Sequence, residues 1–333
     1  MANLRRLGGG EGSLTRLTPR RGRGTTRRPV SESVPAYHAA VEHARRPSSP
    51  EDITAAARKS FDEAPDARLR FLLQRLVEHL HAYACEVGLT KAEWEAAVAF
   101  LTDTGHSCSD RRQEFVLLSD TLGLSMLVDA LQSHLQAGVT ESTVLGPFHV
   151  DGSPLRPMGS SIAEQEGSGE PMFVSGNVRG IDGQPLAGAV LDVWQNAANG
   201  LYAVQDPEQP FENLRGRFRT GSDGAFSFWA VRPVDYPIPD DGPVGRMLAA
   251  TGRHPWRPAH LHLVVSATGC HPVATHLFDR TSPYLGSDAV FGVKPSLVVD
   301  FLAHGPHEPG APEGWSDTWY SLERDFVLAP AET

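Results

Sequence analysis

Two histidines separated by one residue, His260 and His262, have the residue type and the spacing for metal binding. They lie in the stretch RHPWRPAHLHLVV, between a proline-rich approach and an apolar run. The run from Ala259 to Val265 is rich in apolar and β-branched residues, which predicts a strand entered from a rigid loop. Because successive strand side chains alternate between faces, both imidazoles would point the same way, about 6 to 7 Å apart at their Cα atoms. The pair predicts one edge of a metal site, and its alternative is two half-buried polar residues on a sheet face.

The spacing alone does not identify the other ligands. A facial Fe(II) site with two histidines and one carboxylate would need a nearby acid, for which Asp235 and Asp240 are candidates. Two tyrosines lie in loops between predicted strands, Tyr202 after a glycine turn and Tyr236 in a proline-stiffened segment. The alternative role for Tyr202 is a ring that caps the loop core. A non-catalytic β-sandwich binding module with structural zinc is a further alternative, which the lack of nearby cysteines disfavours.

Composition excludes several classes of function. The chain has 333 residues, 40% of them hydrophobic, and a net charge of -10. Residues 1–30 hold eight arginines and one acid, so the remainder carries 22 basic and 39 acidic residues. This acidic body argues against nucleic-acid binding, and since no apolar run is long enough to span a membrane we expect a soluble protein. The scattered cysteines Cys85, Cys108 and Cys270 favour a reducing, cytoplasmic location.

Residues 48–138 predict three or four helices packed together. One apolar stripe at helical spacing consists of five leucines, Leu69, Leu72, Leu73, Leu76 and Leu80. The segment TKAE, from Thr90 to Glu93, is a capping box that begins the next helix. The side chains expected to face inward from this helix are Trp94, Val98 and Leu101.

A further helix is predicted to begin near Asp110 and to be interrupted at Gly123. Its expected apolar stripe has three residues, Phe115, Leu118 and Leu122. This leaves Leu117 and Asp120, three residues apart, on an adjoining face.

After the stretch GVTESTVLGPFHV, which ends at Val150, the pattern changes to short apolar runs separated by turn residues. Without helical spacers between them, such runs predict an antiparallel β-sandwich, and the whole chain an α+β protein. The segment TGSDGAF, with Asp223 and Gly224 at its turn, predicts a hairpin. Alternating arginines, Arg215, Arg217 and Arg219, predict a cationic strand face that forms ion pairs.

Several long segments together resemble the intradiol ring-cleavage dioxygenases, the group of catechol and hydroxyquinol 1,2-dioxygenases. They are LGPFHV, GAVLDVWQNAANGLY, NLRGRFRT, YPIPDDGPVG, RHPWRPAHLH and SDAVFGVK. The resemblance covers roughly residues 50–330 and leaves out the basic tail. Two segments, LLSDTLGLSMLVDAL and VLGPFHV, are most similar to the hydroxyquinol 1,2-dioxygenases.

This resemblance implies a non-haem Fe(III) held by Tyr202, Tyr236, His260 and His262. Phenolate oxygens are hard donors that favour the ferric state, and the imidazoles complete a site with room for substrate. It also implies that the substrate binds through both deprotonated oxygens, and that Tyr236 leaves the metal to act as a base. Arg257, three residues before His260, would lie beside the ring and stabilise negative charge.

The same resemblance implies the lining of the substrate pocket. Leu117 and Asp120 would lie at its mouth, opposite the segments VLGP and AVFG. The pocket residues of these segments are Val144, Leu145, Gly146, Pro147, Val290 and Phe291. The Asp120 carboxylate would accept a hydrogen bond from the third hydroxyl of hydroxyquinol, which catechol lacks. His276 stands where catechol dioxygenases carry a glutamine near the reacting carbon, and it would donate a similar hydrogen bond.

We therefore expect an enzyme that cleaves hydroxyquinol with O2 to maleylacetate or its enol tautomer, 3-hydroxy-cis,cis-muconate. A catechol or chlorocatechol dioxygenase is the alternative. Three segments are expected: a disordered basic tail at 1–46, a helical domain at 47–140 that forms a homodimer, and a β-sandwich catalytic domain holding Fe(III) at 141–333. The expected partners are a small aromatic diol or triol and O2, with no nucleic acid and no membrane span.

Overall fold

The computed structural model describes residues 49–109, 112–132, 138–165 and 167–331. The predicted tail at 1–46 and the predicted helix start near Asp110 lie outside these residues. The chain divides into two compact units, and the boundary lies between Leu89 and Thr90. None of the helices in the described ranges has both the length and the apolar character of a membrane span.

The first unit contains helices α1 (Pro50–Lys59) and α2 (Ala67–Glu86). Both begin at side chains that accept backbone N–H bonds, Ser49 from Asp52 and Asp66 from Leu69, as N-caps do. The predicted leucine stripe lies on α2. Four of its leucines are about half exposed in this chain, Leu69, Leu72, Leu76 and Leu80.

In the second unit, α3 spans Lys91–His106 and begins with the predicted capping box of Thr90 and Glu93. The predicted orientation of its side chains is wrong, because the three residues expected to face inward are exposed: Trp94, Val98 and Leu101. The buried face carries Phe100 and Thr104 instead. The Thr104 hydroxyl donates to the Phe100 carbonyl at 2.8 Å, so a polar residue is accommodated on the buried face.

Helices α4 (Glu114–Thr121) and α5 (Leu124–Gln132) are separated at Gly123 as expected, and α6 (Pro243–Ala250) lies between strands. The stripe predicted for α4 is wrong for Phe115 and Leu122, which are exposed. The buried residues of α4 are Glu114, Leu117, Leu118, Asp120 and Thr121. The Glu114 carboxylate accepts the N–H of Val244 at 3.1 Å. Apolar periodicity missed this face because three of its five residues are polar and hydrogen-bonded or charged.

The strands of the described residues form two five-stranded sheets and one short pair. The first sheet has the order β10-β11-β1-β12, with β4 also pairing β1. Its strands are β1 (Pro171–Gly180), β4 (Ala225–Val231), β10 (Leu302–His304), β11 (Trp319–Glu323) and β12 (Phe326–Leu328). The second has the order β3-β2-β7-β8-β9. Its strands are β2 (Val190–Trp194), β3 (Arg215–Arg219), β7 (His260–Ser266), β8 (Val273–Asp279) and β9 (Val298–Val299). The short pair is β5 (Tyr236–Pro237) with β6 (Trp256–Arg257).

The α+β class is confirmed, but the sheets are mixed rather than wholly antiparallel. Strand β1 pairs in parallel with β11 and β12, and β8 pairs in parallel with β9. Apolar alternation specifies which face of a strand is buried but not the direction of its neighbour. Long connections, such as the one from β1 to β11, permit either direction.

The predicted hairpin at Asp223 and Gly224 is wrong. The turn itself forms, with Gly224 N–H bonding to the Gly221 carbonyl at 3.1 Å. However, β3 before it belongs to the second sheet and β4 after it to the first. The turn therefore carries the chain from one sheet to the other, because each strand has a better-matched partner elsewhere: β2 for β3 and β1 for β4.

The predicted ion pairs of the β3 arginines are also wrong, since none of the three forms one with the described acids. Arg217 donates to the Ser153 carbonyl at 2.5 Å, and Arg219 to the Gly188 carbonyl at 3.2 Å. Arg215 is buried with its guanidinium 4.8 Å from the centre of the Phe211 ring. Burial lowers its pKa, because the charged form loses solvation.

The apolar core contains residues of both large sheets, among them Val174, Phe228, Leu191 and Leu263. At one end of the second sheet, the strand register sets His262 beside Trp194 of β2 on one side and beside His276 of β8 on the other. This register places the Trp194 indole and the imidazoles of His262 and His276 side by side on one face of the sheet.

Candidate metal centre

The paired histidines converge as the strand spacing predicts. His260 and His262 project from the start of β7, and both are 1% exposed. Their Nε2 atoms lie 3.0 Å apart. The entry to β7 is held by Asp235, whose Oδ1 accepts the Ala259 N–H at 2.7 Å and the Ser282 hydroxyl at 2.5 Å. Asp235 therefore braces the strand and is not available as the carboxylate of a facial site.

The hydrogen bond of His260 determines its tautomer. Its Nδ1 lies 2.7 Å from the carbonyl oxygen of Pro258, and because a carbonyl only accepts, Nδ1 carries the proton. Burial holds the pKa of His260 well below its usual value, and the positive charge of Arg257 lowers it further. The imidazole is therefore neutral, and its Nε2 presents a lone pair to the centre of the site.

The two tyrosines lie against this pair. Tyr202 Oη is 2.9 Å from His262 Nε2, and the Tyr202 and Tyr236 rings are 5.4 Å apart. Tyr202 follows a turn at Gly200, where φ is +80°, and its N–H is bound by Gln205 Oε1 at 3.1 Å. Tyr236 lies on β5, opposite Arg257 of β6. The four residues expected to bind the metal thus form one buried cluster.

The phenols of Tyr202 and Tyr236 are both buried, and their burial limits the ions that they can bind. Burial raises the pKa of Tyr202 well above its usual value, and the neighbouring Tyr236 raises it further. A buried phenolate is therefore stable here only when a cation compensates its charge. Phenolate oxygens and neutral imidazoles together form a hard, anionic donor set that fits a ferric ion. Among the described residues, the group of potential ligands at this place contains histidines and no cysteine, whereas structural zinc typically binds thiolates.

A third imidazole, His276, lies within this cluster. Its ring is 4.2 Å from that of His262 and 4.6 Å from that of His260. Among the described residues, these three histidines are the one group of three potential His, Cys, Asp or Glu ligands, with ligand atoms within 4.8 Å of one another. From the part of the chain that the structure describes, no well-formed hydrogen bond reaches either ring nitrogen of His276. Burial lowers its pKa far more than a weak contact with the Val144 backbone raises it, so this ring is neutral.

A buried cation lies beside the tyrosines. Arg257 Nη1 donates to Tyr236 Oη at 3.3 Å, and Arg257 is 3% exposed. Burial is the largest single influence and disfavours the charged guanidinium, but the combined attraction of Asp288, Tyr236 and Tyr202 outweighs it, so the pKa of Arg257 is raised. The guanidinium therefore supplies a permanent positive charge next to the Tyr236 oxygen.

The α4 residues expected at the substrate pocket are buried near this cation. Leu117 packs in one apolar cluster with Ala289 and Val290. Asp120 is 5% exposed, and burial raises the pKa of its carboxyl although Ser125 and Arg257 both favour ionisation. An apolar side chain and a partly desolvated carboxyl are therefore both among the buried residues of α4.

The segment VLGP lies on the other side of the cluster. A Cβ at Gly146 would be 3.3 Å from His262 Cε1, and the φ of Gly146 is +79°. The Pro147 ring lines a cavity of about 560 Å³ that continues along residues 203–207. Leu145 and Phe291 are both exposed, whereas Val144 is partly buried. The predicted pocket residues thus divide into buried members at the cluster and exposed members at its rim.

Sequence reasoning missed three residues that support the cluster. Trp194 stacks on the His262 ring, with centroids 4.7 Å apart and planes at 16°, and Phe148 stacks on the Tyr202 ring at 4.5 Å. Asp288 binds Arg257. All three lie in segments that carry the family resemblance, so their place in those motifs was the available signal.

Comparisons with known proteins agree with this geometry. A family model described as Dioxygenase matches residues 144–325, and one described as Catechol dioxygenase N terminus matches residues 66–140. The 6-chlorohydroxyquinol 1,2-dioxygenase of Cupriavidus pinatubonensis is 47% identical over 84% of this chain and 97% of the relative. The hydroxyquinol 1,2-dioxygenase of a Rhizobium species is 49% identical over 80% of this chain and 91% of the relative.

A solved structure extends the likeness to three dimensions. The hydroxyquinol 1,2-dioxygenase from Pseudomonas putida matches with a TM-score of 0.79 and 48% identity, over 85% of this chain and 99% of that one. The two family models together cover helices α2 to α6 and strands β1 to β11. This chain belongs to the family of the intradiol ring-cleavage dioxygenases.

Proposed function

We propose that this protein cleaves hydroxyquinol between its vicinal hydroxyls with O2, giving maleylacetate or its enol tautomer. The observation that carries this choice of substrate is the buried Asp120 carboxyl, which lies three residues after Leu117 and with it among the buried residues of α4. The positive charge of Arg257 lowers the pKa of this carboxyl, although burial raises it more. Relatives at 45–49% identity that are named hydroxyquinol 1,2-dioxygenases support the same choice.

The proposed cofactor is Fe(III), held by Tyr202, Tyr236, His260 and His262. The mutual approach of their donor atoms and the neutral state of the imidazoles support this set. When bound, the ferric ion withdraws electron density from the coordinated ring and prepares it for reaction with O2. Neutral imidazoles need not lose a proton to bind, whereas each phenol must release one.

Tyr236 and Arg257 are proposed to assist removal of a proton from a substrate hydroxyl. The guanidinium N–H points at the phenol oxygen at 3.3 Å and stabilises it in its anionic form. A phenolate in that place accepts a proton from a substrate hydroxyl, and the positive charge then stabilises the substrate oxyanion. Arg257 is thus proposed to act on both partners of the proton transfer.

His276 and Asp120 are proposed to orient the ring. The nitrogens of His276 have no well-formed hydrogen bond within the described residues and lie beside the metal ligands, so one N–H is free to bind substrate. Asp120 accepts the third hydroxyl of hydroxyquinol. Catechol leaves that carboxyl unpaired against an apolar ring, which costs about 1 to 3 kcal/mol and lowers its binding roughly ten- to a hundredfold.

We also propose that the protein is a cytoplasmic homodimer that associates through its helices, as expected from the sequence. Several apolar residues of α5 are exposed in this chain, which supports an apolar interface: Leu124, Leu127, Val128 and Leu131. The proposed segment boundaries at residues 46 and 140 remain predictions.

The experiment that tests the function combines a visible absorption spectrum with a product assay. Purified protein should be reddish, because tyrosinate-to-Fe(III) charge transfer absorbs visible light, and should contain about one iron per chain, since four ligands define one site. It should convert hydroxyquinol to maleylacetate with uptake of one O2. A colourless, zinc-loaded, native preparation would reject the iron assignment, and a preference for catechol would reject the substrate.

A further inference from the structure

Helix α4 must be positioned by its surroundings. It has eight residues, Glu114–Thr121, and a helix of two turns is not stable by itself in water. Two of the proposed substrate-pocket residues, Leu117 and Asp120, project from it. Whatever fixes the two ends of α4 therefore fixes the shape of the pocket mouth.

The first end of α4 is fixed by a buried carboxylate. Glu114 accepts the N–H of Val244 in the first turn of α6 at 3.1 Å and the Nε–H of Arg112 at 2.8 Å. Glu114 is completely buried. These bonds join the start of α4 to the start of α6 but do not reach the loop that carries Val290.

The C-terminal end of α4 is held by one guanidinium. Arg253 Nη1 donates to the carbonyl of Thr121, the last residue of α4, at 2.6 Å, and Nη2 donates to the Ala289 carbonyl at 2.9 Å. The same guanidinium lies 5.0 Å from the centre of the Phe291 ring. Arg253 thus links α4 directly to loop 289–291, the two segments proposed to border the pocket mouth.

This loop has a conformation that needs support. Phe291 has a φ of +58°, a left-handed value that costs an ordinary side chain free energy. Gly123, directly after α4, lies against the Phe291 ring, since a Cβ there would be 3.4 Å from it. The strained loop and the end of α4 therefore meet, and the Arg253 contacts span their junction.

We propose that Arg253 is a positioning residue that sets the distance between α4 and loop 289–291 and so determines the substrate specificity of the pocket. Its described guanidinium contacts lie on Thr121 of α4 and on Ala289 and Phe291 of the loop, so it would act through the segments that hold Leu117, Asp120 and Val290. A planar fork of donors bonds two carbonyls while lying on a ring, and a lysine ammonium cannot do all three. This inference rests on the proposed function.

The test compares kcat/KM for hydroxyquinol and catechol in wild type, Arg253→Ala and Arg253→Lys. The hydroxyquinol value should fall about tenfold in Arg253→Ala through a higher KM, with catechol changed much less, and Arg253→Lys should lie between. Arg246→Ala is the matched control, because this exposed arginine of α6 bonds Asp103 of α3 instead. Its substrate ratio should equal that of wild type.

Two further measurements separate positioning from folding. Iron content and the visible band should be unchanged in all three variants. Because Arg253 also lines a surface cavity of about 490 Å³, added guanidinium should restore part of the substrate ratio of Arg253→Ala. A fall by equal factors for both substrates, or a lower Tm with an unchanged ratio, would overturn the specificity role alone. Wild-type protein that does not cleave hydroxyquinol would instead overturn the proposed function.

Discussion

Asp288 binds Arg257 through both carboxylate oxygens, with Nε–Oδ1 at 3.1 Å and Nη2–Oδ2 at 3.4 Å. Both residues are buried. Asp288 Oδ2 also accepts the Gly292 N–H at 2.9 Å. One carboxylate therefore orients the guanidinium that is proposed to be catalytic and closes the loop that contains Val290 and Phe291.

Replacing Asp288 by asparagine should impair both stability and turnover. Removing one partner of a buried ion pair leaves an uncompensated charge and costs about 3 kcal/mol, which corresponds to a fall in Tm of about 6–12 °C. A misplaced Arg257 should lower kcat/KM about a hundredfold. Calorimetry and steady-state kinetics measure these effects. The matched control is Asp300→Asn, whose partner Arg280 is at the surface, and it should change neither quantity appreciably. A variant of Asp288 with wild-type kinetics would show that Arg257 needs no partner.

Some of this site follows from local pattern. The alternation of a strand is enough to predict that His260 and His262 share a face, and their Nε2 atoms meet at 3.0 Å. The capping box of Thr90 and Glu93 is equally local and forms as predicted. Such features depend on residues that are close in the sequence, so they can be predicted without knowledge of the fold.

Other parts depend on contacts that no local pattern contains. Asp288 lies 31 residues after Arg257, and Trp194 reaches His262 only through the register of β2 with β7. The buried face of α4 is also set by distant residues, since the Glu114 carboxylate accepts from Val244 and the Thr121 carbonyl accepts from Arg253. Tertiary partners decide such cases, and apolar periodicity does not detect them.

The two proposed tyrosine ligands should respond differently to loss of the hydroxyl. Tyr236→Phe should retain iron but lose about 10²- to 10⁴-fold in kcat, because a base is removed. Tyr202→Phe should chiefly weaken iron retention, because this hydroxyl contacts His262 at the centre of the cluster. Iron content after chelator challenge, read beside kcat, separates the two. Tyr284→Phe is the control, since that ring stacks on Trp256 outside the cluster. Wild-type activity in both ligand variants would reject the assignment.

Asp120→Ala should change substrate preference. The hydroxyquinol kcat/KM should fall about ten- to a hundredfold because the third hydroxyl loses its acceptor, whereas the catechol value should be equal or higher. Competition between the two substrates measures the ratio directly. Asp103→Ala, an exposed acid of α3, should leave the ratio unchanged. An equal fall for both substrates would mean that Asp120 supports the fold and does not select the substrate.

Asp120→Asn should raise stability in a pH-dependent way. Burial raises the pKa of this carboxyl above its ordinary value of 3.8, so the folded state disfavours its ionisation. Its contribution to stability is fully present below pH 3.8 and is lost as the pH rises through the folded-state pKa. The asparagine variant has no such loss. Its Tm should therefore match that of wild type near pH 4 and exceed it at pH 7 by about 2 °C or more. A lower Tm at every pH would show that the ionised carboxylate is net stabilising.

Gly146→Ala should loosen the metal through His262. Within the described residues, Nδ1 of this imidazole has no hydrogen bond. While Nε2 contacts the cluster, the Nδ1 side of the ring is therefore positioned by Trp194 stacking on one face and by the close approach of Gly146 at its edge. A methyl group 3.3 Å from Cε1 would push the ring, and the φ of +79° adds backbone strain. The rate of iron loss to a chelator should rise about tenfold and the visible band should shift.

The matched control for Gly146 is Gly152→Ala. Gly152 has nearly the same backbone angle, φ +82°, but a Cβ there meets no atom within 4 Å. This variant therefore carries the backbone strain without the contact with His262. Both variants should lose a similar amount of Tm from strain, and only Gly146→Ala should release iron faster. Equal iron retention in the two would show that Trp194 alone is sufficient to hold the His262 ring in place.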